Sequence, residues 1–129
     1  MHNSTWYNGL TKPPFSPPDW LFAPVWSVLY FLIALSLIIY SVKKTNLNKV
    51  KGYVCFGLQI ILNFLWIPAF FALKNITLAL IIVILLNIFI IMTVRYFFAV
   101  SKVASLLLVP YLIWTLFATY LNFSYLILN

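Results

Sequence analysis

Trp6-Tyr7-Asn8-Gly9-Leu10-Thr11-Lys12-Pro13-Pro14-Phe15-Ser16-Pro17-Pro18-Asp19-Trp20 runs directly into the charge-free apolar stretch from Trp20 to Tyr40. Proline cannot continue a helix, yet this stiff, aromatic-rich segment stands at the mouth of a stretch long enough to cross a bilayer. A disordered tail is poor in aromatics, because disorder persists where little apolar surface offsets chain entropy. Residues 1–19 are therefore predicted to form an ordered extramembrane lid over a bundle made by residues 20–129.

Composition points the same way. Of the 129 residues, 65% are hydrophobic and only 7% charged, too few polar groups to cover a soluble monomer. The net charge of +7 would suggest nucleic acid in a soluble protein, but the basic residues fall between apolar spans. Orientation in a membrane explains them better, and no nucleic-acid partner is expected. Cys55 is the single cysteine and His2 the single histidine, so an intrachain disulfide, a cysteine metal cluster and bis-histidine haem ligation are all excluded. Neither a metal nor a cofactor is expected. Cys55 itself reads as a packing residue.

Four spans pass about 20 residues without an interior charge. They are predicted at about 20–41, 52–73, 76–98 (charge-free from Ile76 to Val94 and extended past Arg95 to Phe98) and 103–128, giving an all-α integral membrane bundle of four transmembrane helices. Asp19 is placed to cap the first, Lys74-Asn75 to turn between the second and third, and Pro68 and Pro110 to kink the spans that hold them. No basic segment with a short apolar run and a small-residue cleavage site opens the chain, so a cleaved signal peptide is not predicted. Lys43, Lys44, Lys49, Lys51, Arg95 and Lys102 lie on one side of these spans, against Lys12 and Lys74 on the other. Six against two predicts a cytoplasmic 43–51 loop, with the lid and both termini on the opposite side.

Polar residues within spans tend to face the bundle interior. Gln59, Asn63, Trp66 and Phe70 recur at helical spacing on one face, as do Tyr111, Trp114, Ala118, Asn122 and Tyr125. Phe22, Trp26 and Tyr30 do the same in the first span, and the third offers Asn87. Aromatic faces beside sparse amides and phenols suit a flat, largely apolar ligand with a few hydrogen-bonding edges. The same residues also suit a plainer role, in which the amides link helices and the tryptophans, Trp20 above all, form an interfacial belt.

The segment Trp6-Tyr7-x-x-Leu10-x-Lys12-Pro13-x-Phe15-x-Pro17-Pro18-x-Trp20-x-Phe22-x-Pro24-Val25-Trp26-x-x-Leu29-Tyr30 resembles the signature of the translocator protein family, also called tryptophan-rich sensory proteins or peripheral benzodiazepine receptors. Gln59-x-x-x-Asn63-x-x-Trp66 and Pro110-Tyr111-x-x-Trp114-x-x-Phe117-Ala118-x-x-Leu121-Asn122 resemble the same family's third and fifth helices, in the right order. The resemblance implies a bundle, usually of five helices and commonly dimeric, that binds porphyrins, sterol-like lipids and synthetic benzodiazepine and isoquinoline ligands. It also implies a cell-membrane location in a bacterium, or the mitochondrial outer membrane in a eukaryote. Only Met1 to Thr5 precede the Trp-Tyr segment, so the chain looks like helices two to five of the family. Two motifs are missing: Tyr125 is followed by no basic residue of the kind the animal sterol pattern carries, and Gly52 and Gly57 lack the three-apart spacing of helix-dimer faces.

Carried over by residue, the implied ligand site comprises Trp6, Trp20, Trp26, Tyr30, Asn63, Trp66, Trp114, Ala118 and Leu121. Trp26 and Trp114 hold the positions that bacterial relatives associate with light-dependent breakdown of protoporphyrin. Proton-coupled export is disfavoured because the only acidic residue, Asp19, lies at the lid. No Ser-His-acid set or phosphate-cradling glycine loop is present. The expected function is therefore binding of a porphyrin-like or sterol-like ligand in a sensing, regulatory or transport role. Photo-oxidative porphyrin degradation and a purely structural or partner-regulating role are the alternatives.

Overall fold

A computed structural model describes residues 19–69 and 75–128, and among them every long element is a helix. Helix α1 spans Asp19–Val42, α2 Val50–Ile67, α3 Ile76–Val100, α4 Lys102–Leu107 and α5 Val109–Leu128. Three stretches are long and apolar enough to cross a membrane: Ala23–Val42, Ile76–Val100, and α4 with α5 taken together as Lys102–Leu128. The remaining apolar helix, α2, is shorter. At about 1.5 Å per residue its 18 residues cover roughly 27 Å, against about 30 Å of bilayer hydrocarbon. The predicted all-α membrane bundle is the architecture found. The lid, Lys12, Lys74 and the predicted turn at Lys74 lie outside the described residues, as does the Asp19 side chain.

Local chemistry sets the ends of these helices. The side chain of Asn75 accepts from the backbone N–H of Leu78 at 2.9 Å and so caps α3, which lets that helix start directly after the α2–α3 connection. Ser101 is extended at the end of α3, and its hydroxyl accepts from Ala104 N at 3.3 Å to start α4. Pro68 follows the last residue of α2 with helical angles, φ −59° and ψ −38°. Pro110 occupies the first turn of α5, where its missing N–H costs no intrahelical bond. The fourth span breaks ahead of Pro110, at Leu108, and not at the proline itself.

Polarity is distributed as lipid demands. Phe31, Ile61, Phe64, Ile113 and Ile127 face outward, while Ser36, Gln59, Asn63, Thr93, Ser105, Thr115 and Asn122 are buried. α3 is the central helix: α2 runs along it, and α4 and α5 pack against it. α1 joins the bundle mainly through α4, where the Ser36 hydroxyl donates to Ala104 O at 2.6 Å. The backbones of α1 and α2 scarcely approach each other although they are neighbours in sequence. Large side chains bridge that separation.

The end of the bundle holding the 43–49 connection is pinned around Tyr40. Its ring stacks on Phe97 at a centroid distance of 3.8 Å, and its hydroxyl donates to Lys49 O at 3.0 Å. Lys49 Nζ donates to Ser41 O and Lys43 O at 3.0 and 2.7 Å, satisfying carbonyls that the end of α1 leaves open. The approach requires a glycine, because a Cβ at Gly52 would stand 2.3 Å from the Tyr40 hydroxyl oxygen and 2.8 Å from the ring carbon bearing it. Gly57 faces open space. Gly52→Ala is expected to destabilise the bundle by about 1–3 kcal/mol through overpacking. Gly57→Ala, in a helix interior, is expected to be neutral or to stabilise by up to about 1 kcal/mol. Thermal unfolding of the two variants in detergent checks the contrast, and equal midpoints would overturn it.

Candidate ligand-binding site

The separation between α1 and the α2–α5 side of the bundle is filled by aromatic rings. Trp26 of α1 lies with its centroid 5.5 Å from Tyr30, 6.4 Å from Tyr111 and 6.4 Å from Trp114. The Trp26 and Trp114 planes meet at 87°, an edge-to-face arrangement that sets the positive rim of one indole on the negative face of the other. Tyr30 also stacks on Phe64 of α2 at 6.1 Å. These contacts arise because spacings of three and four put each helix's aromatics on one face, and the wide α1–α2 separation leaves room for rings.

A chain of hydrogen bonds runs behind the rings through three helices. The Tyr30 hydroxyl of α1 donates to Asn63 Oδ1 of α2. Asn63 Nδ2 donates to the Tyr111 hydroxyl oxygen of α5 at 2.9 Å, and Tyr111 donates in turn to Gln59 Oε1 at 2.6 Å. A second link lies nearer the other end of the bundle: Trp66 Nε1 donates to Asn122 Oδ1 at 2.9 Å, and Asn122 Nδ2 donates to Ile76 O at 3.0 Å. A third joins α3 to α5, where Asn87 Nδ2 donates to Thr119 Oγ1 at 2.5 Å. Gln59 Nε2 and Asn87 Oδ1 are buried with no hydrogen-bond partner among the described residues.

Of the residues singled out from sequence, Trp26, Tyr30, Trp66 and Trp114 belong to or pack against one apolar cluster, with Asn63 hydrogen-bonded to Tyr30 beside it. Ala118 is buried one helical turn beyond Trp114. Leu121 belongs to a second cluster with Ala69, Ala79 and Tyr125, and Trp66 packs against both clusters. Trp6 and the Trp20 side chain lie outside the described residues. The amides thus do link helices, and Asn63 does so through Tyr30 and Tyr111, the two phenols that meet Trp26. Reading from sequence passed over Thr115 and Thr119, whose hydroxyls return to the backbone carbonyls of Leu112 and Thr115, and over Ser36 and Ser105 at the α1–α4 and α3–α4 contacts. Their only signal was position, since a small hydroxyl carries little weight in a hydropathy pattern.

Comparison with known proteins bears on the same residues. Residues 1–128 match the model of the TspO/MBR family. The chain is 46% identical over 128 residues to the tryptophan-rich protein TspO of Chlorobaculum tepidum, covering 98% of this chain and 80% of the relative. It is 37% identical over 124 residues to a tryptophan-rich sensory protein of Cereibacter sphaeroides, covering 96% and 77%. It is 36% identical over 121 residues to the translocator protein of Homo sapiens, covering 92% and 71%. Matched by that family model over residues 1–128 and by these relatives at 36–46% identity, the chain belongs to the TspO/MBR family.

Proposed function

We propose that the chain binds a flat, largely apolar ligand of the porphyrin class, or a sterol-like one, where α1 stands apart from α2 and α5, and that it serves a sensing, regulatory or transport role. The observation that carries the reading is the edge-to-face pair of Trp26 and Trp114 set against the Tyr30–Asn63–Tyr111 chain. Indole and phenol rings supply faces for stacking, and the amides beside them supply the few polar contacts that fix a ligand's orientation. Helix backbones that scarcely meet leave a place where side chains alone must yield to an incoming ring. Relatives named as sensory and translocator proteins favour a signalling or transport role over a purely structural one.

The amide of Asn63 tests this reading, because it joins α1 to α5 and lies beside the rings. Asn63→Leu is expected to weaken protoporphyrin binding by about 1 kcal/mol or more while helix content stays unchanged. Titration by tryptophan quenching in the dark, with circular dichroism as the fold control, measures both. Unchanged affinity in a folded variant would leave Asn63 as a helix link alone.

The tryptophan contact also favours a second reading, photo-oxidative porphyrin degradation, in which the indoles donate electrons to the excited ring or trap reactive oxygen beside it. Trp26→Phe with Trp114→Phe keeps two aromatic faces and most of the buried area. The double variant is expected to bind with modestly reduced affinity. Under light, a defined degradation product made by the parent chain and lost in the variant would establish the enzymatic role. Equal product formation by both proteins and by detergent alone would exclude it.

Orientation completes the proposal. Lys43, Lys44, Lys51, Arg95 and Lys102 are exposed on the segments that meet where α1 ends, α2 begins and α3 passes into α4. We place that end in the cytoplasm by the excess of basic residues. In a Cys55→Ser background, an impermeant thiol reagent applied to intact cells is expected to label a cysteine substituted at Ser16 and to spare one at Asn46. The reverse pattern would invert the assignment.

A further inference from the structure

The hydrogen-bond chain behind the tryptophans has a direction, and its far end is open. Each phenol carries one proton. Tyr30 gives its proton to Asn63 Oδ1, which turns Nδ2 of that amide toward Tyr111. The Tyr111 oxygen accepts there, so its own proton goes to Gln59 Oε1 at 2.6 Å. The chain therefore ends on Gln59 Nε2, an amide nitrogen with two N–H groups and no partner among the described residues. Running the chain backwards would strand both the Gln59 carbonyl and the Tyr30 proton, two groups in place of one.

Gln59 is 1% exposed and sits on the buried face of α2, one turn from Asn63. At about 1.5 Å per residue it lies roughly 14 Å from the start of its helix, a depth at which lipid offers no acceptor. A buried donor without an acceptor is destabilising, so an oxygen from elsewhere is needed to complete the chain. Tyr111 holds the Gln59 carbonyl on one side and touches the Trp26 ring at 6.4 Å on the other, which ties the open donor to the aromatic site.

We infer that Gln59 Nε2 is the polar anchor of the ligand site, donating to a carboxyl or carbonyl oxygen on the rim of the bound ring. This rests on the porphyrin reading of the same site and adds to it that the ligand's acidic edge lies against α2, with Tyr111 as the positioning residue that holds the amide. The same chemistry is available from a trapped water, and the two sources are separable.

Protoporphyrin, which carries two propionic acid groups, and etioporphyrin, which carries the same macrocycle with alkyl groups only, are titrated in the dark into the purified full chain in detergent. The parent protein is expected to prefer protoporphyrin. Gln59→Met, similar in size but without the amide, is expected to weaken protoporphyrin binding about fivefold or more and to change etioporphyrin binding less than about twofold. Gln59→Glu, which sets a carboxylate against the ligand's own oxygen, is expected to weaken protoporphyrin further. Equal effects on both porphyrins, or none on either, would assign the donor to a water and overturn the inference. Should Gln59→Met fail to fold by circular dichroism, the parent chain's preference decides alone, and equal affinity for the two rings overturns the inference. A parent chain that binds neither porphyrin would instead overturn the proposed function, and this inference with it.

Discussion

Lipid cannot hydrogen-bond, and from that constraint the arrangement of this bundle follows. An amide or hydroxyl within a span needs a partner on another helix or on its own backbone, and among the described residues Gln59 Nε2 and Asn87 Oδ1 are the buried side-chain atoms left without one. Asn63 shows the consequence most directly: it stands on α2, accepts from Tyr30 of α1 and donates to Tyr111 of α5. Removing one partner of such a link would leave a polar group stranded where neither water nor lipid can replace it, which makes the links strong determinants of which helix lies beside which. The apolar surface contributes little to that choice, because Phe31, Ile61 and Phe64 are as well solvated by acyl chains as by one another.

Position along the bundle divides it into two kinds of contact. Around Tyr40 one side chain of α1 is held tightly against its neighbours: the ring is stacked on Phe97 of α3, tied to Lys49 O, and approached by a glycine of α2 that leaves no room for a Cβ. Toward the start of α1 the helices stand apart, and Trp26, Tyr30, Tyr111 and Trp114 span the distance. A ring fixed by stacking, a hydrogen bond and a tight backbone approach resists change, because moving it means unmaking several contacts together. Side chains that meet edge to face yield by rotating about their own bonds. A rigid end and an adaptable end in one small bundle would suit the ligand binding proposed above.

The helices were legible from sequence because long charge-free runs and the spacing of polar residues both exceed what chance would leave in a membrane chain. The faces bearing Gln59, Asn63 and Trp66, and Tyr111, Ala118, Asn122 and Tyr125, turned inward for the reason their spacing gave. Helix breaks were less legible. Pro110 looks like a kink within a span, but proline fits a first helical turn without loss, and the chain uses it there while breaking at Leu108. The separation of α1 from α2 had no sequence signal, since a hydropathy run says which residues cross a membrane and not which crossings touch. Thr115 and Thr119 went unread because their hydroxyls donate to carbonyls of their own helix, which leaves no pattern across helices even though Thr119 also accepts from Asn87.

The tryptophans, alike in sequence, take unlike positions. The Trp66 indole N–H is committed to Asn122, whose amide is committed in turn to Ile76 O, so this ring acts as a strut between α2, α5 and the start of α3. Trp26 and Trp114 meet each other through their rings, and Trp26 meets Tyr111 in the same way. A strut held by hydrogen bonds loses its partners if it turns, whereas an edge-to-face pair is worth only about 0.5–1.5 kcal/mol beyond its burial. A flat ligand sliding against those faces would repay that amount with its own stacking area. On the reading proposed above, a ring ligand would enter beside Trp26, whose contacts with Tyr30, Tyr111 and Trp114 are made through rings, and would leave the Trp66 strut in place.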